Sequence, residues 1–361
     1  MTDPRWDELA RLLVDRSLDV QPGWQVSVRS SPLSRPLFEA VCRRIAQRGA
    51  YALSRIVFGF DRWPIPLAWA EDAPDELLGR LSPLDLHEAE TIDARLVIRA
   101  PEAERDAPPL TADRRALLQR ALEPISRRSR SLDVRWAVTE FPTEVGARRA
   151  AMSVPEFGEF IFGACLRDWD AEERRMRRFA DRFDAAEEVR IVGDGTDLRL
   201  GVAGRRCEVD HALRNMPGGE VFLCPLEDSA EGVITYAEVP AHYLGGRVEG
   251  ARLAFRDGAV VDASARVGED FLLQTLDTDA GARRLGELGI GCNEGITGAT
   301  GNLLFDEKIA GTAHLALGGS YTFLGGTNES AIHWDMVKDL RGGGELWADG
   351  ELVQRDGAWL I

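Results

Sequence analysis

Apolar positions in the first half of the chain recur at two spacings. Trp6, Leu9, Ala10 and Leu13 follow one another at three and four residues, as do Phe38, Val41, Cys42 and Ile45. Both sets predict helices with one apolar face, and Gly49 stands where the second should end. The runs Trp24 to Ser30, Ala52 to Phe58, Ala94 to Ala100 and Leu132 to Val138 have the length and alternation of strands. Strands separated by helical segments imply βαβ units on a largely parallel sheet. Pro101 to Pro109 reads as a loop. Ala171 to Ala186 predicts a charged amphipathic helix with Met176, Phe179, Ala180 and Phe183 on one face. It would end a first domain or bridge to a second.

After about Glu188 the texture changes. Short strand-like runs are punctuated by Asp-Gly, as in VRIVG-DG-TDLRLG, RLAFR-DG-AVVDA and GELWA-DG-ELVQR-DG-AWLI. Asp-Gly between alternating apolar runs is a strong hairpin signal, because both turn residues tolerate positive φ. A helical stretch is expected near Asp270 to Leu288. With 361 residues the chain exceeds the size at which one core usually stops growing, roughly 250–300 residues. The expectation is an α/β N-terminal domain (1–187) followed by a β-rich α+β domain (188–361) that carries the chemistry.

Charge narrows the function. A net charge of −16 argues against nucleic-acid binding, since a phosphate backbone would be repelled. It would attract a free α-ammonium group, although surface acids serve solubility first. Five dispersed cysteines without a C-x-x-C pair fit reduced thiols better than a disulfide framework. The N-terminus lacks the basic and apolar regions of a signal peptide, and no apolar run approaches the ~20 residues of a membrane span. A cytoplasmic protein is expected. Neither G-x-G-x-x-G after the first strand nor G-x-x-x-x-G-K is present, so the α/β half shows no nucleotide-binding signature.

Only five histidines occur, and two fall within Gly311 to Asp335. His333 and Asp335 are spaced i, i+2, so on a strand they face the same way and can converge on a cation. With Glu220, Glu287 and His314 they supply three carboxylates and two imidazoles, a suitable set for two divalent ions with one carboxylate bridging. Zinc, cobalt, manganese and magnesium all suit such ligands to some degree. The absence of G-x-S-x-G and H-E-x-x-H disfavours a serine hydrolase and a single-zinc thermolysin-like protease. His87, His211 and His242 have no partner motif and are expected at the surface or satisfied locally.

The segments NMPGGEVF, GELGIGCN, LLFDEKIAGTAHLALGGSY and NESAIHWD resemble the M29 family of metallo-aminopeptidases. Weaker likeness extends through PGWQVSVRSS, FPTE (Phe141 to Glu144) and FGEFIFGACLRDW. The resemblance implies two divalent ions held by Glu220, Glu287, His314, His333 and Asp335, with Tyr321 close by. It implies removal of N-terminal residues from peptides with a free N-terminus, by attack of a metal-bound hydroxide, in a cytosolic homodimer whose sites face an internal cavity. Tyr321 is placed to stabilise the oxyanion; Glu220 or Glu287 is the candidate proton shuttle, with Glu307 a more distant alternative. The segment between His314 and His333 is shorter than in better-known members, and GIGCNEGITGATGNLLF replaces a more polar stretch. Two other readings keep the same ligands: a dinuclear amidohydrolase acting on a non-peptide amide, and a catalytically silent metal- or peptide-binding relative.

Overall fold

A computed structural model describes residues 3–58, 65–103, 110–130 and 133–361. Leu132 and positions 104–109 of the expected loop therefore lie outside the described residues. The chain forms two compact units, Met1–Leu166 with Ala212–Pro217, and Arg167–His211 with Gly218–Ile361.

The first unit is built on a parallel sheet with strand order Tyr51–Ile56, Gln25–Ser30, Ala94–Arg99, Arg135–Glu140 and Asn215–Met216. The central strands are those whose alternate residues (Val26 and Val28, then Leu96 and Ile98) are fully buried, whereas Tyr51–Ile56 is an edge strand and largely exposed. Helix Arg35–Gln47 buries Leu37, Ala40, Val41 and Ile45. The apolar face is thus turned by about one position from the expected one, and Phe38 and Cys42 lie half-buried at its margin. Gly49 follows at φ +76°, where a side chain would be strained. The FPTE and FGEFIFGAC motifs serve this unit's architecture. Thr143 caps the helix Glu144–Arg149, Ser153 and Glu156 form a capping box on Val154–Cys165, and Trp6 packs between Phe141 and Phe162.

The second unit begins with helix Trp169–Asp184, whose Met176, Phe179, Ala180 and Phe183 enter its core as the spacing predicts. Its larger sheet has eight strands, and all four Asp-Gly pairs sit in hairpin turns of that sheet. At Asp257-Gly258, Asp349-Gly350 and Asp356-Gly357 both residues have positive φ. A second, antiparallel sheet runs in the order His333–Asp339, Thr312–Gly318, Leu285–Gly291, Glu220–Leu223 and Glu208–Asp210.

One element differs from expectation. The helix ends at Leu276, and Leu285–Gly291 is a strand, so Glu287 projects from a sheet. Every residue of that strand is buried. A strand covered on both faces has no reason to alternate apolar and polar positions, and its three glycines further blur the period.

Candidate metal centre

The register of the five-stranded sheet assembles the candidate ligands. Glu287 pairs with Ala316, and Ala316 with Asp335, placing two carboxylates in one cross-strand row on either side of a methyl group. A β-bulge between Leu285 and Glu287 re-aims the glutamate. His314 lies opposite Gly289, Glu220 opposite Gly291, and His333 opposite Gly318. Each ligand candidate therefore has glycine or alanine as a cross-strand neighbour. This floor of small residues makes room above the sheet for polar groups; a Cβ at Gly289 would fall 2.0 Å from His314 Nε2. The opposite face stays apolar: Trp334, between His333 and Asp335, is buried against Tyr243 and Phe271.

Two trios result. Glu220, Glu287 and His314 offer ligand atoms within 4.8 Å of one another, and so do Glu287, His333 and Asp335. Glu287 belongs to both: its Oε1 lies 3.5 Å from His314 Nε2 and its Oε2 3.2 Å from His333 Nε2. His314 Nε2 is also 3.5 Å from Glu220 Oε2, and His333 Nε2 is 3.7 Å from Asp335 Oδ1. His333 Nδ1 lies 2.7 Å from the Gly319 carbonyl, so Nδ1–H donates there and Nε2 is the nitrogen turned toward the carboxylates, free to ligate an ion once it gives up its proton. The trios differ in access. Glu220, Glu287 and His314 are sealed, whereas the His333 side chain is 31% exposed.

The electrostatics call for positive charge. Burial disfavours a charged imidazole, yet hydrogen bonding to Glu287 and the nearby carboxylates raise His314 to about 9 and His333 to about 10. Burial pushes Glu220 and Asp335 upward, while the two histidines outweigh burial and hold Glu287 down. Glu220 Oε2 is buried without a hydrogen-bond partner among the described residues. Inward-facing carboxylates, imidazoles with excess proton affinity and an orphaned carboxylate oxygen together fit divalent cations.

Tyr321 stands beside the more open trio, its hydroxyl 3.3 Å from His333 Nε2. The Glu287 charge and burial raise its pKa far above the ordinary range, so it stays a phenol and a hydrogen-bond donor. Glu307 is ion-paired with the buried Lys308, which also lies 3.1 Å from Glu220 Oε1. His211 pairs with Glu173 at 3.0 Å, and His87 and His242 are exposed. Lys308 is the functional candidate that sequence reasoning missed. The acidic and apolar context of FDEKIAG hinted at it, but its partners come from separate elements.

A buried His/carboxylate cluster open on one side, held by the rows of a β-sheet, is the construction of a metalloenzyme. The chain belongs to the thermophilic metalloprotease (M29) family, whose model matches residues 2–359. It is similar to aminopeptidase T of Thermus thermophilus, 28% identical with 98% of each chain covered, and to aminopeptidase 2 of Geobacillus stearothermophilus, 27% identical with 99% of each covered. The solved structure of wild-type AmpT from Thermus thermophilus superposes with a TM-score of 0.81 at 25% identity over 99% of both chains. A 2,5-dihydroxypyridine dioxygenase from Pseudomonas putida shares the fold with a TM-score of 0.59 at 14% identity, covering 99% of this chain and 97% of that one.

Proposed function

We propose that the protein is a metal-dependent aminopeptidase that removes N-terminal residues from peptides, using two divalent ions held by Glu220, Glu287, His314, His333 and Asp335. The observation that carries this reading is the sharing of Glu287 between two ligand trios. Charge supports the number two. Glu220, Glu287, Asp335, Asp210 and Glu307 bring five carboxylates, Lys308 one cation, and two dications beside neutral imidazoles would complete neutrality. When bound, such a pair supplies Lewis acidity toward a carbonyl and eases deprotonation of water.

The chain's own residues divide the remaining tasks. Gly319 fixes the His333 ring so that Nε2 faces the site. Tyr321, a neutral donor on the accessible side, can hydrogen-bond the oxygen that gains charge at the scissile carbonyl. The substrate's free amine enters from the His333 side, the more exposed side of the site. Glu220 and Glu287 serve as ligands before they serve as bases, and Glu307 is engaged by Lys308. The ions are drawn from zinc, cobalt, manganese and magnesium, and we extend the proposal to a cytoplasmic homodimer on the family resemblance.

The test is hydrolysis of aminoacyl-p-nitroanilides and short peptides by protein stripped with chelator and reloaded with each ion separately. Restored release of N-terminal residues, with N-acetylated peptides untouched, is expected. Tight ion uptake without turnover of any free-amine substrate would overturn the aminopeptidase reading in favour of another amide or a silent binding role.

A further inference from the structure

Lys308 is fully buried, and its ammonium is surrounded by carboxylates: Glu220 Oε1 at 3.1 Å, Asp210 Oδ2 at 3.7 Å, and Glu307 in direct contact. We propose that Lys308 is a positioning residue for Glu220, clamping one carboxylate oxygen so that the other is presented to the ion of the Glu220, Glu287 and His314 trio. The proposal rests on the two-ion reading.

Three observations carry it. First, Glu220 Oε1 is held by the ammonium whereas Oε2, 3.5 Å from His314 Nε2, is buried and without a hydrogen-bond partner among the described residues. The two oxygens of one carboxylate are thus assigned different tasks. Second, Asp210 and Glu220 are direct cross-strand partners, and like charges so placed repel. A cation between them keeps Glu220 from swinging away from its neighbour. Third, the lysine backbone is anchored to the same framework as the glutamate. The Lys308 carbonyl accepts from Asn293 N at 2.9 Å, and the Asn293 side chain donates to the Gly218 carbonyl at 2.9 Å, two residues before Glu220. Clamp and ligand are therefore held by one asparagine.

The experiment uses zinc alone, with uptake by the stripped full-length protein measured by elemental analysis and calorimetric titration. Two variants are compared with wild type, Lys308→Met and the double variant K308M/E307Q. The single variant leaves three carboxylates without their cation and is prone to misfold. The double variant removes one charge of each sign, so local net charge is preserved and only the clamp is lost.

Wild type is expected to hold two zinc ions per chain. K308M/E307Q is expected to bind one of them 10–100-fold more weakly, the usual cost of losing an outer-shell partner, while the other is unchanged. A merely structural lysine would lower the melting temperature and leave both affinities alone. If folded K308M/E307Q holds two ions at wild-type affinity, the clamp is overturned and the two-ion reading stands. If wild type itself holds fewer than two, both are overturned.

Discussion

Gly289→Ala is the sharpest perturbation available, because it adds one methyl group and touches no ligand directly in sequence. The new Cβ would stand 2.0 Å from His314 Nε2, 2.1 Å from Cε1 and 2.9 Å from Cδ2. Ordinary contacts begin near 3.4 Å, so the ring must retreat by more than an ångström. His314 is 1% exposed, so any retreat must be made within the protein interior. Gly289 lies in a strand outside the left-handed region, so the whole effect is steric. Overpacking of this kind costs about 1–3 kcal/mol in stability, a few degrees in melting temperature for a chain of this size. A displacement of about 1 Å at a reacting centre costs on the order of 10²-fold in rate. The expected result is loss of one ion by elemental analysis and a fall of about 10²-fold or more in kcat/KM, with only a modest change in melting. Gly298→Ala is the control, since a Cβ there meets nothing within 4 Å, and it should be silent. A Gly289→Ala protein that keeps its ions and more than half its activity would refute the argument that small residues make room for the ligands.

Three further outcomes follow from the geometry. Tyr321→Phe removes the donor 3.3 Å from His333 Nε2 and should lower kcat by about 10²-fold with KM and ion content little changed; steady-state kinetics decide it. Asp335→Ala should release the ion of the more open trio, and activity should fall much further than melting temperature, whereas a silent binding protein would show the reverse balance. Asp279 accepts from Ala331 N at 2.7 Å, Ser330 Oγ, Gly281 N and Ala282 N, bonds that hold its pKa below the usual 3.8 and pin the segment entering the His333 strand. Its contribution is therefore present above about pH 3.8 and lost as pH falls through the depressed value. Asp279→Asn should melt below wild type at pH 7, and the gap should close below pH 4 in thermal scans of the two proteins.

Much of this was legible where the determinants are local. Asp-Gly turns carry their own backbone preference, and the face of the helix around Met176 follows from spacing alone. His333 and Asp335 could be paired because i, i+2 geometry depends on nothing but an extended backbone. Glu287 could be named as a candidate, but the strand that carries it resisted, because a strand buried on both faces carries no alternation to read. The glycines and alanine opposite the ligands were visible in GELGIG and HLALGG, yet their purpose emerges only from the register between strands. Lys308 lay beyond reach for the same reason: its meaning depends on Asp210 and Glu220, neither close to it in sequence.

On the two-ion reading proposed above, the unequal exposure of the two trios would impose an order on assembly. An ion held among Glu220, Glu287 and His314 would lie deeper than one held beside the partly exposed His333. Loading would then be first in, last out: the inner ion would arrive before the outer one settles, and a chelator would take the outer one first. Partial depletion would not yield a random mixture but a single half-filled species, with the inner ion acting as a near-permanent part of the fold. The outer position alone would follow the changing metal supply of the cell.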